Sequence, residues 1–153
     1  MKKVKFLVLA TLFFVFANIN AASAPGLTYL QIKYVYLSNK GWVPIQDNQL
    51  SIVRDNGASL LAVFTVEVGY GYSPIAKMSG IIVPTPTLSN FQPQPFCDVS
   101  NFLAPCKPGQ KVAGWTRYWL LSGNQSNFSG MFYYQNSSSS APFKTMSDQL
   151  YIY

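Results

Sequence analysis

Apolar and polar residues alternate from Tyr29 to Leu37: Leu30, Ile32, Tyr34 and Tyr36 take one parity, and Gln31, Lys33 and Val35 the other. A period of two residues predicts a strand with one buried face. Residues 38–41 then read as a turn. Residues 42–45 read as a short edge segment, because Pro44 has no N–H to give a ladder. Residues 50–54 and 58–70 flank Asp55-Asn56-Gly57, whose residue types tolerate the positive φ of tight turns, so a hairpin is expected there. The second arm is polar only at Ser59, Thr65 and Glu67, which predicts a central strand covered on both faces. A helix competes for that arm, but Val63, Phe64, Thr65, Val66 and Val68 are β-branched or aromatic and favour a pleated surface.

Residues 77–83 resemble another strand, stopped by Pro84. Pro86, Pro93, Pro95 and Pro105 follow before Pro108, so an irregular, Pro-rich excursion is expected over 84–111. Alternation resumes over 112–121, with Trp115, Arg117, Trp119 and Leu121 on one side, and again over 128–135. Four consecutive serines lie in 136–140, and 149–153 reads as a last strand. Seven or eight short strands with few helix signals predict an all-β fold: a single-domain antiparallel β-sandwich, immunoglobulin-like or related, with one disulfide.

The amino-terminal segment stands apart from this pattern. Lys2, Lys3 and Lys5 precede an apolar run from Phe6 to Phe16 that is broken only by Thr11, and Ala21, Ala22, Ser23 and Ala24 follow. That order predicts an export signal cleaved after Ala21, leaving residues 22–153 as one β domain in a secreted or periplasmic location. The run is 11 residues long, whereas a membrane-spanning helix needs about 20, so contact with a membrane is expected only in transit. The short Lys-rich leader has a bacterial character.

Three of the 11 basic residues leave with the leader, so eight basic face five acidic residues, a net charge of about +3. The remaining cations are scattered, whereas nucleic-acid binders cluster theirs on one face, so no nucleic-acid partner is expected. Cys97 and Cys106 are the only cysteines, with eight residues between them. In an oxidising compartment this spacing predicts a structural disulfide that stabilises the fold by about 2.5–3 kcal/mol through loop closure.

Absent residue types restrict the chemistry. The chain has no His, hence no imidazole base, no Ser–His or Cys–His nucleophile and no imidazole metal ligand. Neither a metal nor another cofactor is expected. Glu67 is the sole glutamate, and a glycosidase would need it beside an aspartate such as Asp98, although nothing in their spacing requires that. Ser73 and Lys77 could form a Ser–Lys pair on a helix, which Pro74 and Gly80 oppose.

Aromatic side chains are abundant instead: all 3 Trp and all 10 Tyr follow the leader. Flat rings stack on sugars while their polar edges hydrogen-bond, although in β domains Trp and Tyr more often fill cores. Trp42, Tyr70, Tyr72, Trp115, Tyr118 and Trp119 are the ligand-binding candidates. Gly69-Tyr70-Gly71-Tyr72-Ser73-Pro74 is expected to be a mobile turn bearing two rings. The expectation is an exported, non-enzymatic domain that recognises a carbohydrate or protein ligand on a cell surface through loop-borne aromatics. The alternatives are a small outer-membrane β-barrel, suggested by the terminal Tyr151-Ile152-Tyr153, and a small secreted hydrolase.

Overall fold

A computed structural model describes residues 24–54, 58–121 and 129–153. The expected leader, the expected turn at Asp55-Asn56-Gly57 and residues 122–128 lie outside the described residues. Among the described residues ten strands form two five-stranded sheets, two or three more strands than the alternation predicts. The first sheet has the order β2-β1-β4-β8-β7, built from β1 (Tyr29–Leu37), β2 (Gly41–Pro44), β4 (Leu60–Val68), β7 (Gln94–Phe96) and β8 (Gly114–Leu120). The second has the order β3-β10-β9-β5-β6, built from β3 (Ser51–Ile52), β5 (Ile75–Met78), β6 (Ile81–Val83), β9 (Gly130–Ser137) and β10 (Thr145–Ile152). All neighbours are antiparallel except β3 and β10, which run parallel. Among the described residues there is no α-helix.

The main core lies between the sheets, where Ile32, Val35 and Leu37 from β1, Val63 from β4 and Trp119 from β8 meet Phe132, Tyr134, Leu150 and Ile152. Apolar area removed from water drives this packing, at about 25 cal/mol per Å2. Neither sheet closes on itself, so the architecture is sandwich-like and departs from the barrel alternative. The terminal rings do share a side, with Tyr151 and Tyr153 exposed at 4.7 Å between centroids, while Ile152 between them is buried in the core.

Three local expectations are corrected. The alternation in β1 does not hold one face throughout: a register shift between Ile32 and Tyr34 turns Val35 and Leu37 inward beside Leu30 and Ile32, and leaves Tyr34 and Tyr36 outward. One extra residue reverses every later side chain in a strand. The expected hairpin around Asp55-Asn56-Gly57 is absent as a pairing, since β3 pairs with β10 in one sheet and β4 with β1 and β8 in the other. Residues 77–83 are not one strand but a hairpin, β5 and β6, reversed by Ser79 (φ 50°) and Gly80 (φ 83°). Two positive φ values in succession match the right-handed twist of the flanking strands.

β4 is central and buried on both faces, as its composition predicts. Its outward Phe64 and Val66 form a second cluster with Phe96, edged by Tyr34, Phe102 and Tyr118. The Pro-rich excursion covers part of this outer face. It is less irregular than expected, because β7 within it pairs with β8, the strand that follows it. The Cys97–Cys106 disulfide fastens the loop that carries Phe102 and Leu103. Asp98 begins a short 3-10 turn (Val99–Asn101) by accepting a hydrogen bond from the Ser100 N–H at 2.9 Å.

Candidate functional site

The outer face of the first sheet carries the largest gathering of aromatic rings. Trp42 projects from the edge strand β2, where its register partner is Tyr36 of β1. Its ring meets Tyr36 at 5.1 Å, Tyr118 at 5.9 Å and Phe64 at 6.3 Å, each near edge-to-face. Phe64 is in turn 4.9 Å from Tyr118 and 5.8 Å from Tyr34. Such contacts hold each ring by the attraction between one ring's edge and another's face, so the platform is formed before any ligand arrives. Trp42 nevertheless remains 43% exposed. Tyr34, Trp42, Phe64, Leu103 and Tyr118 enclose an open groove of about 220 Å3, with Leu103, 62% exposed, supplied by the disulfide loop.

The six candidate aromatics are therefore not gathered in one place. Trp42 and Tyr118 meet in this groove and are borne by strands, not loops. Trp119 is corrected to a core residue: it is 1% exposed, lies tilted against Tyr134 at 5.2 Å between ring centroids and donates its indole N–H to the Thr65 hydroxyl at 3.1 Å. Trp115 is half-buried and lies 6.4 Å from Tyr70. Tyr72 is exposed, but the turn bearing it is pinned: Tyr70 donates to the Pro25 carbonyl, Tyr72 to that of Ser137, and Ser73 to Asn136 Oδ1. Gly69 permits this course, having φ 90° and an α-carbon so close to Gly26 that a Cβ would stand 2.1 Å from its carbonyl oxygen. Sequence reasoning missed Tyr34, Phe64 and Leu103. The available signal was an excursion with Phe91, Phe102 and Leu103 facing a central strand whose outward positions are apolar.

Beyond the groove, the same face becomes polar. Lys33, Tyr34, Pro44, Gln46, Asp47 and Phe102 line a second cleft of about 450 Å3. Lys33 Nζ donates to Asp47 Oδ1 at 2.8 Å, and Gln31 donates to the same oxygen at 3.1 Å. Bonds from Lys33 and Gln31 hold the Asp47 carboxyl below the ordinary carboxylate range. Burial opposes the Lys33 charge, but hydrogen bonds with Asp47 and Tyr29 outweigh it and raise the ammonium above its usual value. A third cleft, of about 590 Å3, lies where β1 and β10 approach and includes Gln31, Asn48, Gln49, Asp148 and Gln149. Asp148 reaches across the sheets there and accepts the Ile32 N–H at 2.8 Å, satisfying a backbone donor beside the bulge.

The carboxylates weighed above as a pair lie in different settings. Glu67 is fully buried between the sheets, where it receives Arg117 Nε at 3.3 Å and Asn136 Nδ2 at 2.9 Å, while Asp98 is exposed on the disulfide loop. Ser73 and Lys77 do not share a helix, since β5 begins at Ile75. Asn136, one of three Asn-x-Ser sequences, is fully buried, and the other two lie outside the described residues. Among the described residues no three His, Cys, Asp or Glu side chains gather as a metal site would require.

A stretch of 56 residues is 38% identical to the coproporphyrin III ferrochelatase of Mycobacterium avium (strain 104), covering 37% of this chain and 17% of that protein. The chain thus spans well under two thirds of that relative's length. No solved structure matches the chain. Residues 22–152 match the family described as "Domain of unknown function (DUF4879)", and the chain belongs to that family.

Proposed function

We propose that this protein is an exported, non-enzymatic binding domain whose aromatic groove takes a cell-surface polysaccharide. It works in the periplasm or outside the cell, without cofactor or nucleic acid, on a sandwich of the immunoglobulin-like or a related kind used by many recognition domains. The observation that carries the reading is the partly exposed Trp42 indole, held by Tyr36, Phe64 and Tyr118 in a groove open to solvent. A sugar ring offers an apolar face of C–H groups that stacks on such a platform, and its hydroxyls need polar groups nearby, which the flanking clefts provide. The bridged loop supports an oxidising location, because such bonds persist in secreted and periplasmic proteins. The absence of His and the burial of the sole glutamate support a binding role over hydrolysis.

Affinity electrophoresis through gels containing soluble glucans, xylans or glucomannans tests this reading. The wild-type protein is expected to be retarded by at least one of them. Trp42→Ala should abolish the retardation, and Leu103→Asp should weaken it, without altering the fold because Leu103 is exposed. Tyr72→Ala should leave it intact, since that ring is not part of the groove. Retention lost in Tyr72→Ala but kept in Trp42→Ala would move the site to the pinned turn. Binding of a protein ligand with no polysaccharide retardation would reject the sugar assignment.

A further inference from the structure

We infer that the aromatic groove is one end of a longer path, and that the polar cleft between β1 and β10 is its second subsite, so the ligand is a linear neutral glycan of several units. This rests on the sugar-binding reading of the groove and extends it to the length and chemistry of the ligand.

Three observations carry it. The clefts adjoin: the aromatic groove shares Tyr34 as a lining residue with the middle cleft, which shares Ile45, Gln46 and Asp47 with the polar one. The bulge in β1 makes this possible by keeping Tyr29 and Gln31 on the same outward side as Tyr34 and Tyr36. At about 3.3 Å per residue, the five steps from Tyr36 to Gln31 span about 17 Å, roughly three to four sugar units.

The chemistry changes along the path as a glycan would require. At the far end Gln31, Asn48, Gln49 and Gln149 present amides, which donate and accept as hydroxyl groups do, and Asp148 presents a carboxylate acceptor. Several of these groups are already oriented by the protein. Gln49 accepts the Gln46 N–H at 3.0 Å and donates to the Ser51 carbonyl at 2.8 Å, while Asp148 is fixed by Ile32. Fixed polar groups lose less side-chain freedom when a ligand binds. The charge is locally balanced where Lys33 meets Asp47, which favours a neutral chain over a charged one.

The test is isothermal titration of the full mature protein with cello-, xylo- and malto-oligosaccharides of two to six units. In the series that binds, affinity is expected to rise at least tenfold from the disaccharide to the tetrasaccharide and then level off. The double variant Asn48→Gly/Gln149→Ala removes two exposed amides from the far cleft, and glycine suits the φ of 65° at position 48. It should bring pentasaccharide affinity close to that of the disaccharide, with disaccharide affinity within twofold of wild type. Equal affinity at every length, or undiminished pentasaccharide binding by the variant, overturns the second subsite while leaving the aromatic groove in place. Failure of every saccharide to bind, or unaltered binding by Trp42→Ala, overturns the underlying reading and this one with it.

Discussion

Replacing Arg117 with Met gives the sharpest test of the interior. Glu67 is fully buried, and Arg117, whose side chain is 14% exposed, is its cationic partner at 3.3 Å. Asn136 supplies one further bond at 2.9 Å, and among the described residues Glu67 Oε2 has no partner. With Arg117 gone, a carboxylate remains in an apolar interior with only the amide to stabilise it. Breaking such a pair from one side costs about 3–5 kcal/mol, roughly a fifth or more of what holds a typical domain together. For a chain of this size that lowers Tm by about 10–20 °C. Glu67→Gln should cost less, about 1–2 kcal/mol, because Arg117 can turn to water and the new amide oxygen still accepts from Asn136. Adding Glu67→Gln to Arg117→Met should therefore recover more than half of the loss. Urea unfolding followed by the fluorescence of the buried Trp119 measures all four proteins, with a constant slope as the control. A loss under about 0.5 kcal/mol for Arg117→Met, or strict additivity in the double variant, would refute the claim that Glu67 is charged and paired in the core.

Other outcomes follow from the same geometry. Cys97→Ser/Cys106→Ser should lower stability by about 2.5–3 kcal/mol, from the closure of a loop with a sequence separation of 9. Limited proteolysis should then cut between residues 98 and 105 before any strand. Gly114→Ala should cost at least about 2 kcal/mol in urea unfolding, because the added Cβ would stand 2.0 Å from the Glu67 carbonyl oxygen and 2.5 Å from the Phe96 ring. Side-chain and backbone bonds from Ser100 hold the Asp98 carboxyl below its ordinary range. A carboxyl depressed in the folded state contributes above its unfolded pKa and loses that contribution as pH falls through the folded one. NMR titration should show this below pH ~4, and Ser100→Ala should move the Asp98 midpoint upward.

Strand positions were legible because their signal is local. The edge character of β2 follows from Pro44, and the double burial of β4 follows from a run with almost no polar residue. Sheet membership was not legible, because pairing joins residues far apart: β3 lies beside β10 at the other end of the chain. The candidate site was half legible for the same reason. Trp42 and Tyr118 stand out by type, but Tyr34, Phe64 and Leu103 become their neighbours only when β1, β4, β8 and the disulfide loop assemble. Trp119 shows the converse. It shares a parity with the half-buried Trp115, and only the second sheet above it decides that one indole is enclosed and the other is not.

What the amino-acid order determined alone is the β character of the chain, the Cys97–Cys106 staple and the lack of imidazole chemistry, since these depend on residue type and short spacing. What the tertiary structure decided is which face each ring occupies. A single extra residue at Lys33 inverts the parity of β1, sends Val35 and Leu37 into the core and turns Tyr34 and Tyr36 toward Trp42. A period of two residues carries no record of such a shift, because the pattern reads equally well in either register until a partner strand fixes it.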